Sequence, residues 1–172
     1  MWENIIIQFI GFIGTAFLVF SFQIKNTQKL FLVQMISNLF YIVHFLLLNA
    51  YSGCISMVLN LIRNIVLATN FKWSKWKFWP YIFIIIQFIA LKITWQDAFS
   101  ILPCLGNIAI IIAGWSQSAK NVRLANMCVN SPCWLIYDIY TFSISGIVCE
   151  LFCQASTILS IYRYGWHGLD NQ

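Results

Sequence analysis

Long apolar blocks alternate with short polar or aromatic breaks along almost the whole chain. Reading helices between those breaks predicts seven of them. Helix 1 runs from about Ile5 to Gln23, helix 2 from Leu30 to Leu48, and helix 3 from Ser52 to Thr69. Helix 4 covers about Phe78 to Leu91, helix 5 Ala98 to Trp115, helix 6 Leu124 to Phe142, and helix 7 Ser145 to Tyr162. Six of the blocks are close to the roughly 20 apolar residues that carry a helix across a bilayer, and helix 4 is shorter, ending near Lys92.

Composition narrows the class. Of 172 residues, 60% are hydrophobic and 9% charged, and the mean hydropathy is +0.78. A soluble domain carries about 25% charged residues, so a soluble enzyme, a disordered chain and a fibre are excluded. Seven spans use about 140 residues and leave about 32 for connections. The expectation is one all-α membrane domain over residues 1–172. No cleavable signal peptide is expected, because Met1-Trp2-Glu3-Asn4 lacks a positive n-region.

The net charge is +5, but the basic residues lie mostly in the breaks, where they read as topology signals rather than as a nucleic-acid surface. Lys25, Lys29, Lys72, Lys75, Lys77, Lys120, Arg123 and Arg163 all fall on one side of a seven-span chain. Lys92, beside Asp97, falls on the other. Positive-inside bias then places the N-terminus outside and the C-terminus in the cytoplasm. The stretch from Phe71 to Pro80, rich in Trp and Lys, reads as an interfacial belt.

An internal repeat is visible. A shift of 94 aligns Gln23 with Gln117, Lys29 with Arg123, Ser37 with Ser131, Phe40 with Trp134 and Ile42 with Ile136. A shift of 93 aligns Ser52-Gly53 with Ser145-Gly146, and a shift of 95 sets Gly11 on Gly106. Repeat one covers 5–69, a linker helix 78–91, repeat two 98–163 and a short tail 164–172. Two parallel triplets joined by one extra helix make a 3+1+3 bundle, a design that places a solute site between the repeats near the midplane.

The stretches Ser21-Phe22-Gln23-Ile24-Lys25-Asn26-Thr27-Gln28-Lys29, Tyr41-Ile42-Val43-His44-Phe45-Leu46-Leu47 and Tyr51-Ser52-Gly53 resemble the YgjV-type bacterial inner-membrane proteins. So do Leu61-Ile62-Arg63-Asn64, Ser131-Pro132-Cys133-Trp134-Leu135-Ile136-Tyr137-Asp138, Ser143-Ile144-Ser145-Gly146-Ile147-Val148-Cys149-Glu150 and Ile161-Tyr162-Arg163-Tyr164. The resemblance covers nearly all of the chain except helix 4 and the tail after Gly165. It implies an inner-membrane location and brings no catalytic residues. The layout is also similar to the SWEET sugar facilitators, the PQ-loop proteins and the nicotinamide riboside transporters, an analogy of fold alone. The Pro-Gln pair of the PQ-loop proteins has no counterpart, since Pro132 precedes Cys133 and the matching position is Asn38.

Polar side chains in hydrocarbon face the bundle interior and mark a path or a partner. Asn60, Arg63 and Asn64 share one face of helix 3, and Glu150, Gln154 and Thr157 one face of helix 7. Asn38 and Asn130 sit near the middles of helices 2 and 6, with Trp134 one turn from Asn130. Asn38, Asn60, Asn130, Gln154, Arg63 and Asn64 are the candidate solute ligands, with Trp134 and Phe40 as a flat wall. His44, Asp138 and Glu150 are candidate gate residues, since histidine titrates near neutral pH. Each residue also has a structural reading. Amides serve as packing glue between helices, Arg63 can snorkel to headgroups, and His44 with Asp138 can be an interfacial hydrogen bond.

Gly11, Gly14, Gly106 and Gly114 permit close helix approach, and Pro103 and Pro132 can kink helices 5 and 6. Cys54, Cys104, Cys128, Cys133, Cys149 and Cys153 read as buried apolar thiols, with no metal-ligand spacing. No cofactor is expected. The expected partners are the lipid bilayer and a small polar solute, with no nucleic acid; a homo-oligomer is left open. The function that fits is facilitated transport of a sugar, nucleoside or vitamin-like molecule. The alternative is a membrane scaffold or regulatory protein with no substrate path. An enzyme is not expected, because only His44 with Asp138 could bring two titratable groups together.

Overall fold

The computed structural model describes residues 2–21, 27–69, 76–115 and 119–168, which form helices and no strand. The elements are α1 (Trp2–Ser21), α2 (Thr27–Leu47), α3 (Tyr51–Ala68), α4 (Trp79–Ile93), α5 (Ile101–Trp115), α6 (Ala119–Ala125), α7 (Ser131–Tyr140) and α8 (Ile144–Gly168). A π-helical turn, Asn126–Asn130, joins α6 to α7 without a break. The described residues therefore form seven helical rods, and α6 with α7 is the sixth. Within them, only Ala98–Trp115 is a helix both long and apolar enough to cross a membrane by itself. Apolar helices of 10–17 residues lie at Ile5–Ser21, Phe31–Leu47, Trp79–Ile93 and Ile144–Leu159.

Three boundaries differ from expectation. The sixth rod begins at Ala119 rather than Leu124, so Arg123 stands in a helix and not in a connection. Ala-Lys-Asn-Val-Arg contains no glycine or proline, and polarity alone does not stop a helix. Conversely, α5 is entered through a 3₁₀ turn, Ala98–Ser100. Asp97 Oδ1 accepts from the backbone N–H of Phe99 (2.9 Å) and Ser100 (3.3 Å), and Ser100 Oγ accepts from Asp97 N (3.4 Å). That reciprocal cap fixes the start of the turn. Finally, α8 runs on to Gly168, because one glycine costs only about 1 kcal/mol and no proline follows Tyr162.

Cross-helix hydrogen bonds fix the directions of the rods. Gln34 meets Asn64, Ser52 meets Thr94 and Ser56 meets Gln87, so α2–α3 and α3–α4 are antiparallel. Asn60 meets Asn107, which sets α3 and α5 parallel. The end bearing Asn49, Thr94 and Phe142 is called upper here, and the end bearing Ser21, Ala68 and Trp115 lower. Along the bundle, α1 packs on α2 and α8, α3 on α2, α4 and α5, and α7 on α5 and α8.

Two upper turns have the same construction. After α2, Asn49 (φ 56°) lets Ala50 N–H reach back to Phe45 O at 2.9 Å. After α7, Phe142 (φ 55°) lets Ser143 N–H reach Asp138 O at 2.8 Å. Both are left-handed helix terminations of the Schellman type.

Close approach between rods depends on three glycines, Gly11, Gly53 and Gly146. A Cβ on Gly11 would collide with Ser145 Oγ, and one on Gly146 with the Asp138 carboxylate. Gly114, in contrast, faces open space, so close approach does not explain that position. An aromatic core fills the upper half between α2, α3, α7 and α8, made by Tyr41, Phe45, Ala50, Trp134, Tyr137, Cys149 and Cys153. A second cluster, Val66, Phe83 and Ile111, holds α3, α4 and α5 together lower down.

Candidate functional site

The expected amides do not converge on one hollow. They separate into two polar groups, one on α2, α3 and α5 and the other on α6, α7 and α8.

In the first group Asn64, 1% exposed, donates through Nδ2 to Gln34 Oε1 at 3.5 Å and accepts from Arg63 Nη2 at 3.4 Å. One turn above, Asn60 Nδ2 donates to Asn107 Oδ1 at 3.2 Å. Three donors in this neighbourhood are buried without a protein partner: Asn38 Nδ2, Asn107 Nδ2 and Arg63 Nη1. Burying an unpaired N–H costs about 1–3 kcal/mol, so each of the three is unusual.

In the second group Asn130, Glu150 and Gln154 have hydrogen-bond partners, while Arg123 Nη1 and Asp138 Oδ1 do not. Asn130 Nδ2 donates to Asn126 Oδ1 at 2.9 Å. Ser131 Oγ donates to Glu150 Oε2 across α7 and α8. Gln154 Nε2 donates to the backbone carbonyl of Met127 at 3.0 Å. That carbonyl is spare for a structural reason. The Ser131 N–H, its α-helical donor, bonds Asn126 O instead, and Pro132 has no N–H to offer. Trp134, 3% exposed, packs against Phe45 at 5.7 Å between ring centroids, inside the aromatic core. Phe40 stacks on Phe17 at 5.8 Å.

His44 and Asp138 are both buried but form no bond with each other. His44 Nδ1 lies 2.9 Å from Ile7 O, which can only accept, so Nδ1 carries a proton. Nε2 lies 2.8 Å from Ser143 Oγ and 3.3 Å from Ser145 Oγ. These bonds tie α2 to α1 and to the start of α8. Asp138 Oδ1 has no partner. Nearby, Thr15 Oγ1 and Tyr41 OH are 2.6 Å apart and fasten α1 to α2.

Three amides escaped the sequence reading: the buried Gln87 and Asn107 and the half-buried Gln34. Gln87 Nε2 donates to Ser56 Oγ at 3.0 Å beside a tight crevice with no room for a water molecule, lined by Ser52, Ser56, Gln87, Thr94 and Ser100 among others. Gln87 and Asn107 are lone amides on otherwise apolar stretches of helix, and a search for polar residues three and four apart passes over them. Gln34, three and four residues before Ser37 and Asn38, lies within reach of such a search.

The upper ends are bridged by the α4–α5 connection. Gln96 Nε2 donates to Asn49 O at 3.1 Å, and Tyr140 OH donates to Asp97 Oδ2 at 2.5 Å. Phe99 and Tyr140 stack at 4.2 Å with 12° between the planes. The connection thus joins the turn after α2 to the end of α7.

Such an all-helical bundle, with apolar outer faces and polar pairs closed inside it, is the kind of fold an integral membrane protein requires. The family model Imp-YgjV, bacterial inner membrane protein, matches residues 5–167. The chain belongs to that family, and the resemblance read from the sequence agrees with it. A comparison with curated proteins gives no match, and one with solved structures gives none either.

Proposed function

We propose that the chain is a multi-pass facilitator for a small polar solute, with the N-terminus outside and the C-terminus in the cytoplasm. In this reading the whole chain is one membrane domain of two parallel units, α1–α3 and α5–α8, with α4 as the odd helix. The two upper turns support the repeat: Phe45, Asn49 and Ala50 correspond to Asp138, Phe142 and Ser143 at one spacing of 93. That register also pairs Ser52-Gly53 with Ser145-Gly146. It sets His44 against Tyr137, one residue away from the pairing with Asp138 that a shift of 94 gives. Reciprocal packing supports it too, since α1 lies on α8 and α5 lies on α3, as a two-fold axis along the membrane normal requires. Of the basic residues expected on the inner face, Lys25, Lys72 and Lys75 lie outside the described residues, as do Gln23 and Gln117 of the repeat alignment. Lys77 stands at the lower end, beside the start of α4, and Lys92 at the upper end.

The observation that carries the proposal is the trio of buried, unpartnered donors on Asn38, Arg63 and Asn107. Packing glue is satisfied by its neighbours, whereas a binding site keeps capacity in reserve. The solute would therefore sit against α2, α3 and α5, with Gln154 and Asn130 holding the π turn of the sixth rod. No bond-making step is part of this reading. The scaffold alternative draws on the second polar group, where Gln154, Glu150 and Asn130 all have partners.

Uptake of sugars, nucleosides and small acids into proteoliposomes tests the proposal. Asn60→Leu, which removes the partner of Asn107, is expected to abolish flux while folded protein remains. Gln154→Leu is expected to lower stability first. Full flux in Asn60→Leu contradicts the site, and absence of uptake for every solute favours the scaffold.

A further inference from the structure

The unpaired atoms on α2, α3 and α5 share one sign. Asn38 Nδ2, Asn107 Nδ2 and Arg63 Nη1 are all donors. The unpaired buried acceptor among the described residues, Asp138 Oδ1, belongs to α7. A sugar or polyol hydroxyl both gives and takes a hydrogen bond. A site for it needs acceptors as well as donors.

The relative levels follow from the helix directions. Gln34 and Asn64 face each other across antiparallel α2 and α3. One turn up α2 is Asn38 and one turn up α3 is Asn60, so both stand about 6 Å above that pair. Asn107 joins them at that level through Asn60. The Arg63 guanidinium lies one turn below, held over Asn64 by the Nη2 contact. Its Nη1 has no hydrogen-bond partner, carboxylate or otherwise, among the described residues. A guanidinium in hydrocarbon without a counter-charge is costly. Two oxygens of a planar anion fit its fork.

We infer that the solute of this site is a small anion, a carboxylate, gripped by Arg63 Nη1 and flanked by the amide N–H groups of Asn38 and Asn107. This rests on the facilitator reading for passage, though the binding claim has its own readout. The anion would complete the three unmet donors together and neutralise the guanidinium. Charge-assisted bonds of about 1.5–3 kcal/mol make an uncharged analogue bind at least about tenfold more weakly.

The test uses the purified full-length chain with matched probes: pyruvate and lactate against pyruvamide and lactamide, with glucose and uridine as neutral solutes. Two readouts are taken, thermal unfolding in detergent and counterflow in proteoliposomes. A carboxylate is expected to raise the unfolding temperature and to show counterflow, its amide to do neither, and Arg63→Gln to lose both responses. Asn38→Asp places the missing charge inside the chain. It is expected to unfold at a higher temperature than the native chain and to ignore added carboxylate. Counterflow of glucose or uridine without carboxylate counterflow or stabilisation overturns the anion site and leaves the facilitator reading standing. Stabilisation by carboxylate without any flux supports the anion site and contradicts the facilitator reading. An Asn38→Asp chain that is less stable yet still stabilised by carboxylate overturns the inference, as does no response to any probe in either readout.

Discussion

Gln154 and Met127 are joined by a side chain that closes a backbone bond: Gln154 Nε2 donates to Met127 O at 3.0 Å. The π turn and Pro132 together leave that carbonyl without a helical donor. A helix on the far side of α7 supplies the donor, which is how proline is tolerated inside membrane bundles.

Gln154→Leu is therefore expected to destabilise the fold by about 1–3 kcal/mol, measured by unfolding in detergent. Pro132→Ala restores an N–H and lets the ladder close as an α-helix. In that background Gln154→Leu should cost less, with a coupling of about 1 kcal/mol in a double-mutant cycle. Equal costs in the two backgrounds would separate Gln154 from the proline defect.

Gly146→Ala drives a methyl into the Asp138 carboxylate, where the α7–α8 contact cannot open cheaply. A loss of about 2 kcal/mol or more is expected, in the range of overpacked cores. Gly114→Ala meets nothing within 4 Å and should gain up to about 1 kcal/mol from helix propensity. Thermal unfolding of the two variants side by side checks the contrast.

Phe142 holds a left-handed conformation, φ 55°, that a bulky side chain adopts at a cost. Phe142→Gly is expected to stabilise the upper turn by about 1 kcal/mol. Asn49→Gly should gain less, because asparagine tolerates the same φ. Unfolding midpoints that fall in the opposite order would show that the Phe142 ring contributes more than its backbone strain costs.

Tyr140→Phe removes the hydrogen bond to Asp97 and keeps the stack on Phe99. Loosening the bridge between the two upper turns should speed labelling of the half-buried Cys54 by a membrane-impermeant maleimide. Asp97→Asn should act in the same direction. An unchanged rate in both would mean that the bridge does not hold the upper end shut.

Most of the helices could be read from the sequence because apolar blocks are long and their breaks are polar. The boundaries failed at Ala119, where polar residues without glycine or proline carried a helix onward, and at Gly168, where a single interior glycine did not stop one. Asn60, Arg63 and Asn64 were legible as a stripe, and the structure sets Asn60 against Asn107 and Asn64 against Arg63 and Gln34. Asn107 was not legible, because a single amide in an apolar helix leaves no periodic trace. The partner of Gln154 was hidden for a different reason. Its acceptor is a main-chain oxygen released by local geometry, and side-chain patterns contain no record of it.

The π turn at Asn126–Asn130 has a further consequence for how the sixth rod tolerates change. A π turn absorbs one residue more than an α-helix needs over the same rise. Deleting a single residue there would shorten the chain yet leave Trp134, Tyr137 and Asp138 pointing where they do now. The same deletion within α6 would turn those three by about 100°, towards lipid. One short window thus works as an expansion joint, where a change of length need not alter the facing of the helix beyond it.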